Sequence, residues 1–170
     1  MQRSLLVGIA VVWVGLAAAI AGAQNEAGSG SSGGEDLGAC TLKDHVYTCD
    51  GAAFLTALAN ATAVAIETNN VDGAAQGQLG SLITKKLGKT IAAKGAPADL
   101  VFLLIPAAPT GVVNSSGDVD LGTLRIYAAT AEGTRGHLLW AETFRGDQEM
   151  PWPAVVHGLV LQFQARFKIK

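Results

Sequence analysis

The chain has 170 residues, with 12 Lys or Arg against 14 Asp or Glu and a formal net charge of −2. This balance provides no basic surface, which argues against nucleic acid or anionic lipid as a partner. Hydrophobic residues make up 49% of the chain, enough for one domain with a packed core.

The N-terminus predicts an export signal. Arg3 supplies the positive charge, and residues 5–20 are apolar or Gly throughout. Residues 21–23, "AGA", give the small-x-small pattern that signal peptidase requires. We therefore expect a signal peptide over residues 1–23 and a periplasmic or secreted product that begins at Gln24. The apolar run approaches the roughly 20 residues that span a bilayer, so an uncleaved membrane anchor remains the alternative.

Two further segments are expected after the signal peptide. Residues 24–39 are rich in Gly, Ser and acidic residues and have no periodic apolar pattern, which predicts a flexible linker. Residues 40–170 then form a single globular domain.

The only two cysteines are Cys40 and Cys49, in "CTLKDHVYTC". Exported chains meet oxidising conditions, where paired cysteines usually bond. A hairpin with Asp44 and His45 as its two-residue loop places the cysteines opposite each other as a non-hydrogen-bonded pair. The Cα atoms of such a pair lie about 4.5 Å apart, within reach of a disulfide. The sequence therefore predicts a disulfide hairpin at the N-terminus of the domain.

Three other roles for these cysteines remain open. Cys40, His45 and Cys49 could supply three zinc ligands, although a structural zinc site normally has four. A Cys–His pair could act as a nucleophile, but nothing nearby depresses a thiol pKa. Residues 37–40, "LGAC", are similar to a lipobox, and an acylated Cys40 would attach the chain to a membrane. That box normally follows the apolar segment directly, and here polar residues intervene.

The remaining pattern predicts three helices and four more strands. Asp50 is the expected N-cap of a helix over residues 51–61, and Asp72 that of a helix that carries the apolar stripe as far as Ile91. The continuous apolar run "ADLVFLLIP" predicts a strand that is buried on both faces. The expected strands are 62–68, 98–106, 121–130 and 137–145, and the last helix follows "MPWP".

This order predicts an α+β fold, in which a mixed sheet of about five strands is packed by two or three helices. Helices link the early strands, so some pairs should be parallel, and the later strands should form a meander.

The C-terminal half resembles small bacterial envelope proteins of unknown function, such as those of domain-of-unknown-function family 4136. The matching features are "ADLVFLLIP", "LGTLRIYAAT", "LLWAETFRG" and the closing amphipathic helix. The resemblance implies a role in the cell envelope and no known reaction.

Two segments are candidate binding sites. Trp152 lies between two prolines in "MPWP" and could bind a peptide or glycan if exposed, or it could pack under the helix that follows. The second segment contains Asp118 and Asp120, close to Asn114 and Ser115, and places oxygen ligands at alternate positions, as a calcium-binding loop does. No Glu follows at the distance that an EF-hand loop requires, so a plain turn is the simpler interpretation. We expect no metal and no cofactor.

The sequence contains no HExxH and no phosphate-binding loop, and its one GxSxG match, "GSSGG" at residues 30–34, lies in the Gly/Ser-rich segment rather than at a turn between a strand and a helix. We therefore expect a non-catalytic exported envelope protein, a binding or structural module whose partner is an unidentified envelope protein or glycan. The alternative is a small periplasmic hydrolase with a site built around Asp44, His45 and Asp50.

Overall fold

The structure is a computed structural model, and it describes residues 35–43, 46–68, 73–107, 118–146 and 149–170. One compact unit runs from Gly33 to Lys170. The predicted signal peptide, most of the predicted linker and the loop residues Asp44, His45 and Asp72 lie outside the described residues.

Seven strands and three helices make up the described part of the domain. The strands are β1 (Cys40–Lys43), β2 (Val46–Cys49), β3 (Ala63–Thr68), β4 (Thr90–Ile91), β5 (Leu100–Pro106), β6 (Val119–Ala129) and β7 (Arg135–Gly146). The helices are α1 (Gly51–Asn60), α2 (Gly73–Ser81), which continues into a π-helical turn over Leu82–Lys86, and α3 (Trp152–Phe167).

The sheet is mixed, as the sequence predicts. Five strands pair in the order β4-β3-β5-β6-β7, and β1 and β2 form a separate two-stranded hairpin. The β3–β4 and β3–β5 pairs are parallel, whereas β5, β6 and β7 are antiparallel neighbours. The predicted α+β class, the sheet of about five strands and the N-terminal disulfide hairpin are therefore confirmed.

Both faces of the sheet are covered, which explains the continuous apolar run in β5. Helices cover one face, where Phe102 and Leu104 belong to the main hydrophobic core. Cys40 packs with Val101 and Leu103 on the opposite face, in a second, smaller core. Because alternate side chains enter different cores, β5 has no polar face.

Aromatic rings form the centre of the core under the helices. Phe54 of α1 is fully buried, and its ring lies 5.7 Å from that of Phe163 and 4.9 Å from that of Phe167, both on α3. The Trp140 ring of β7 completes the cluster, 4.8 Å from Phe167. This aromatic cluster packs α1 and α3 against β7, the edge strand of the sheet.

Helix α3 approaches the sheet closely at two glycines. A Cβ at Gly158 would overlap the Phe144 ring of β7, and a Cβ at Gly122 of β6 would lie 2.6 Å from the Trp152 ring. Real Cβ atoms do not come so close to other atoms, so only glycine permits these contacts.

The second helix is shorter than predicted. The sequence pattern predicts a helix through Ile91, but the helical segment ends at Lys86. Gly88 adopts a φ of 64°, a left-handed conformation that terminates a helix at little cost for glycine. Ile91 then belongs to β4 and pairs in register with Val64 of β3. The apolar residues that the pattern assigns to one helix therefore belong to two elements, the helix and strand β4.

The ordered domain begins earlier than residue 40. Leu138 N donates to Asp36 O at 2.7 Å, and Ala39 N donates to Leu138 O at 3.1 Å. Residues 35–39, predicted as the end of the flexible linker, are thus held along β7. Their composition is that of a linker, but long-range hydrogen bonds order them.

Candidate functional site

The predicted hairpin is confirmed in register and in its disulfide. Cys40 lies opposite Cys49, and the two sulfur atoms are bonded. Asp50 N donates to Ala39 O at 2.9 Å, so the flanking pair is hydrogen-bonded and the cysteine pair is not. The Cα atoms of the two cysteines are 3.9 Å apart, the short spacing expected of such a pair. Both thiols are consumed, which leaves neither for zinc or for nucleophilic chemistry in this state.

Asp50 has a structural role. Its Oδ1 accepts a hydrogen bond from Ala52 N at 2.9 Å and caps the N-terminus of α1, as the sequence predicts. Asp44 and His45, the other members of the hypothetical hydrolase site, lie outside the described residues.

Trp152 packs against the domain and is not fully exposed to solvent. It lies in the first turn of α3, is partly buried and contacts the core across Gly122. Its place at the helix entrance matches the packing interpretation of "MPWP".

The carboxylate of Asp120 is already paired. Its Oδ1 accepts a hydrogen bond from Arg145 Nε at 2.7 Å, across the β6–β7 pair. Asn114 and Ser115 lie outside the described residues. Among the residues that the structure does describe, no group of three or more His, Cys, Asp or Glu is arranged to hold a metal ion.

A polar cluster around Glu35 was missed at the level of sequence. Arg125 Nη1 donates to both carboxylate oxygens of Glu35, at 3.1 and 2.9 Å. The hydroxyls of Tyr127 and Tyr47 also donate to this carboxylate, and the Arg125 guanidinium lies 5.0 Å from the Tyr47 ring centroid. Burial raises the pKa of Tyr127, and its hydrogen bond to Glu35 raises that pKa further.

This cluster anchors the N-terminal segment. Its carboxylate has partners on both oxygens, so little of its hydrogen-bonding capacity is left for a ligand. An open cavity of about 700 Å³ lies beside it, bounded also by Arg135 and His137. Arg135 is itself paired with Glu67 at 3.3 Å. We therefore assign the Glu35 cluster to folding rather than to binding.

A second cavity lies at the outer edge of the sheet. It occupies about 350 Å³ between β2, β7 and the C-terminal end of α3, and we call it the edge pocket. Its lining residues are Val46, Tyr47, Thr48, Cys49, Trp140, Ala141, Glu142, Thr143, Arg145 and Arg166. The disulfide hairpin therefore forms one wall of the edge pocket and the last strand of the sheet forms another.

Glu142 is the unusual group in the edge pocket. Its side chain is only 12% exposed, and its nearest cation is Arg166, with Nη2 at 3.9 Å from Oε1. Burial raises the pKa of the Glu142 carboxyl, and the nearby Arg166 charge and Trp140 indole offset only part of that increase. Glu142 Oε2 and Trp140 Nε1 are both buried, and the Trp140 indole N–H lies beside the Glu142 carboxyl, whose charged form it favours.

Comparison with protein-family models, with curated proteins and with solved structures gives no match for this chain. Within the described ranges, no helix is long and apolar enough to cross a bilayer. The resemblance to envelope proteins of unknown function stays a hypothesis, and the chemistry of the edge pocket is the basis for a functional inference.

The raised pKa of Glu142 predicts a pH-dependent stability. Between the ordinary glutamate pKa and the raised pKa, the folded chain keeps a proton that the unfolded chain has lost, so stability falls as pH rises through this window. Glu142→Gln removes that cost. We expect the variant to match the wild type in Tm at about pH 4, below the ordinary glutamate pKa, and to melt higher at neutral pH.

Thermal melts of both proteins over this pH range provide the measurement. Glu149→Gln makes the same change of net charge at an exposed position and is the matched control. A Glu142→Gln variant that melts lower than the wild type at neutral pH, but not under acidic conditions, would show that the ionised carboxylate is stabilising.

Proposed function

We propose that this chain is an exported, non-catalytic protein of the bacterial cell envelope that binds a small ligand in the edge pocket. The observation that carries the proposal is the Cys40–Cys49 disulfide, because Cys49 lines the pocket. The same bond that favours an oxidising compartment thus holds one wall of the binding site.

Two features of the sequence support export. The apolar segment over residues 5–20 and the "AGA" at residues 21–23 have the pattern of a cleaved signal peptide. The resemblance of the C-terminal half to envelope proteins points to the same compartment.

The lining of the edge pocket favours binding over catalysis. Its described side chains include no histidine, and Cys49 is oxidised. A hydroxyl nucleophile such as Thr48 or Thr143 requires an adjacent base for activation. Glu142, the carboxylate at the pocket, is instead close to the Arg166 guanidinium.

Fractionation of the producing bacterium tests the proposal. We expect the chain outside the cytoplasm, with Gln24 as its N-terminal residue and an intact mass two hydrogens below that of the reduced form. Ala23→Phe, which removes a small residue from the cleavage site, should leave the N-terminus uncleaved. A cytoplasmic chain with Met1 and two free thiols, or a chain acylated on Cys40, would contradict the proposal.

The non-catalytic part of the proposal has its own measurement. We expect no turnover by the mature chain of esterase, glycosidase, peptidase or phosphatase substrates. Hydrolysis that disappears in His45→Ala would instead support the hydrolase with a site around Asp44, His45 and Asp50.

A further inference from the structure

The outer edge of strand β7 is unpaired beside the edge pocket. Strand β7 is the last strand of its sheet and pairs only with β6 among the described strands. Residues 36–39 cover this edge at Leu138, where they bond both of its backbone groups. Residues 140–143 and Arg145 line the edge pocket instead, and no described residue outside the strands forms a backbone hydrogen bond with them. The strand therefore keeps donors and acceptors that a further strand could use.

The pairing register shows which backbone groups of β7 point outward. Ala129 N, at the end of β6, donates to Asp99 O beside β5, so the odd-numbered residues of β6 bond β5. Backbone groups of successive residues point to opposite sides of a strand, so the even-numbered residues bond β7, where Leu124 lies opposite Glu142. Thr143, the next residue, therefore turns its N–H and C=O away from β6 and towards the edge pocket.

Thr143 is the centre of the accessible stretch of this edge. Ala141 and Arg145, two residues away on either side, point their backbone groups in the same direction. Ala141 is only 6% exposed, whereas Thr143 and Arg145 are partly exposed. Residues 141–145 cover about 13 Å of strand, at about 3.3 Å per residue. The stretch matches an extended peptide of about five residues.

Strand β2 presents a second unpaired edge to the same pocket. It pairs only with β1 among the described strands, and the Cys40–Cys49 pair is not hydrogen-bonded. Cys49, and Tyr47 two residues before it, therefore turn their backbone groups away from β1. Both residues line the edge pocket. An extended peptide fits such a lining, because its own N–H and C=O groups recur with the same spacing on both sides.

The charges at the edge pocket favour an acidic peptide. Its charged lining residues are Arg145, Arg166 and Glu142, which leaves a net positive charge. The Arg166 side chain is 62% exposed, and its Nη2 lies 3.9 Å from Glu142 Oε1, too far for a hydrogen bond. Its guanidinium therefore retains donors for a carboxylate of the peptide.

We infer that the edge pocket binds a short, extended peptide with an acidic side chain, which adds to β7 as a further strand. The N–H and C=O of Thr143 bond the peptide backbone, and Arg166 contacts its carboxylate. Strand addition gives affinity through main-chain hydrogen bonds and specificity through alternate side chains. The inference rests on the proposed function in one respect only, namely that the edge pocket is a binding site.

Two-dimensional ¹H–¹⁵N NMR tests the inference on the oxidised mature chain. The probe is the peptide acetyl-Thr-Val-Glu-Val-Thr-amide, titrated into the millimolar range. We expect a saturable shift of the Thr143 amide signal and slower hydrogen exchange of that amide in the complex. The Glu142 amide is the internal reference, because it already bonds β6 and should keep its exchange rate.

Two altered peptides separate the backbone contacts from the charge. The same peptide with all its backbone nitrogens methylated keeps its side chains and loses its donors, and it should not bind. The peptide with Lys in place of Glu should bind more weakly than the original. Equal binding of the methylated peptide would overturn strand addition.

A variant of the chain identifies the cation. Arg166→Gln should weaken binding of the Glu peptide about twofold to fivefold, as expected for the loss of an exposed ion pair. Lys170→Gln removes the same charge at an exposed position outside the edge pocket and is the matched control. Signal dispersion in each spectrum verifies that the variant is folded. Equal weakening in both variants would mean that Arg166 has no specific role.

The remaining outcomes identify a different occupant. Slow exchange of the Thr143 amide without peptide, together with a doubled mass in light scattering, would assign the edge to a second copy of the chain and overturn the inference. Acetate, ethylamine and phenol are titrated in parallel. If one of them shifts the Thr143 signal and the peptide does not, the peptide class is wrong and ligand binding at the edge pocket stands. If no probe shifts it, the binding site itself is overturned, whereas export is decided separately by the fractionation experiment.

Discussion

Phe54→Ala is expected to lower the free energy of unfolding by about 3–5 kcal/mol. Phe54 is fully buried, and its ring packs against those of Trp140, Phe163 and Phe167. Truncation leaves a cavity where α1, α3 and the end of the sheet meet. A loss of this size should lower Tm by roughly 10 °C or more.

Urea unfolding followed by circular dichroism measures the effect. Leu55→Ala is the matched control, since Leu55 is the next residue of α1 and is 47% exposed. Exposed substitutions usually change stability by less than about 0.5 kcal/mol. Equal losses in the two variants would mean that α1 does not present Phe54 to the core.

Replacing both cysteines, in the Cys40→Ser, Cys49→Ser variant, is expected to lower the free energy of unfolding by about 2.7 kcal/mol. The estimate follows from the entropy that a crosslink of about ten residues removes from the unfolded chain. The variant should still fold, because the buried residues of the main core, such as Phe54 and Phe102, lie outside the hairpin and Cys49 only packs against them. Its Tm should fall by several degrees.

Thermal melts under non-reducing conditions provide this measurement, and reductant added to the wild type should reproduce it. The Thr41→Ser, Thr48→Ser variant is the control, since these residues form the adjacent cross-strand pair and are exposed. An unchanged Tm in the cysteine variant would show that the disulfide adds nothing to stability.

The sequence was sufficient for those parts of the fold that depend on local pattern. The strand β5 was predicted from an apolar run, and the hairpin from a two-residue loop that aligns Cys40 with Cys49. Asp50 was predicted as an N-cap from its position before an amphipathic segment. In each case, the residues that decide the structure lie within about ten positions of one another.

The remaining features depend on contacts between distant residues. Glu35 and Arg125 are 90 positions apart, and nothing in the composition around Glu35 distinguishes it from the rest of the predicted linker. Strand β4 was missed because Ile91, one of its two residues, continues the apolar helical stripe. The edge pocket was missed for the same reason, since it is assembled from β2, β7 and the end of α3.

The close contact between Gly158 and Phe144 restricts the order in which these two positions can be substituted during evolution. A side chain at position 158 would overlap the Phe144 ring, so it can be accommodated only if residue 144 becomes smaller. The reverse order is permitted, because a smaller residue at 144 leaves a gap that a larger one at 158 can fill. Among chains of common descent, these two positions should therefore change in a fixed order, and the loss of the ring should come first.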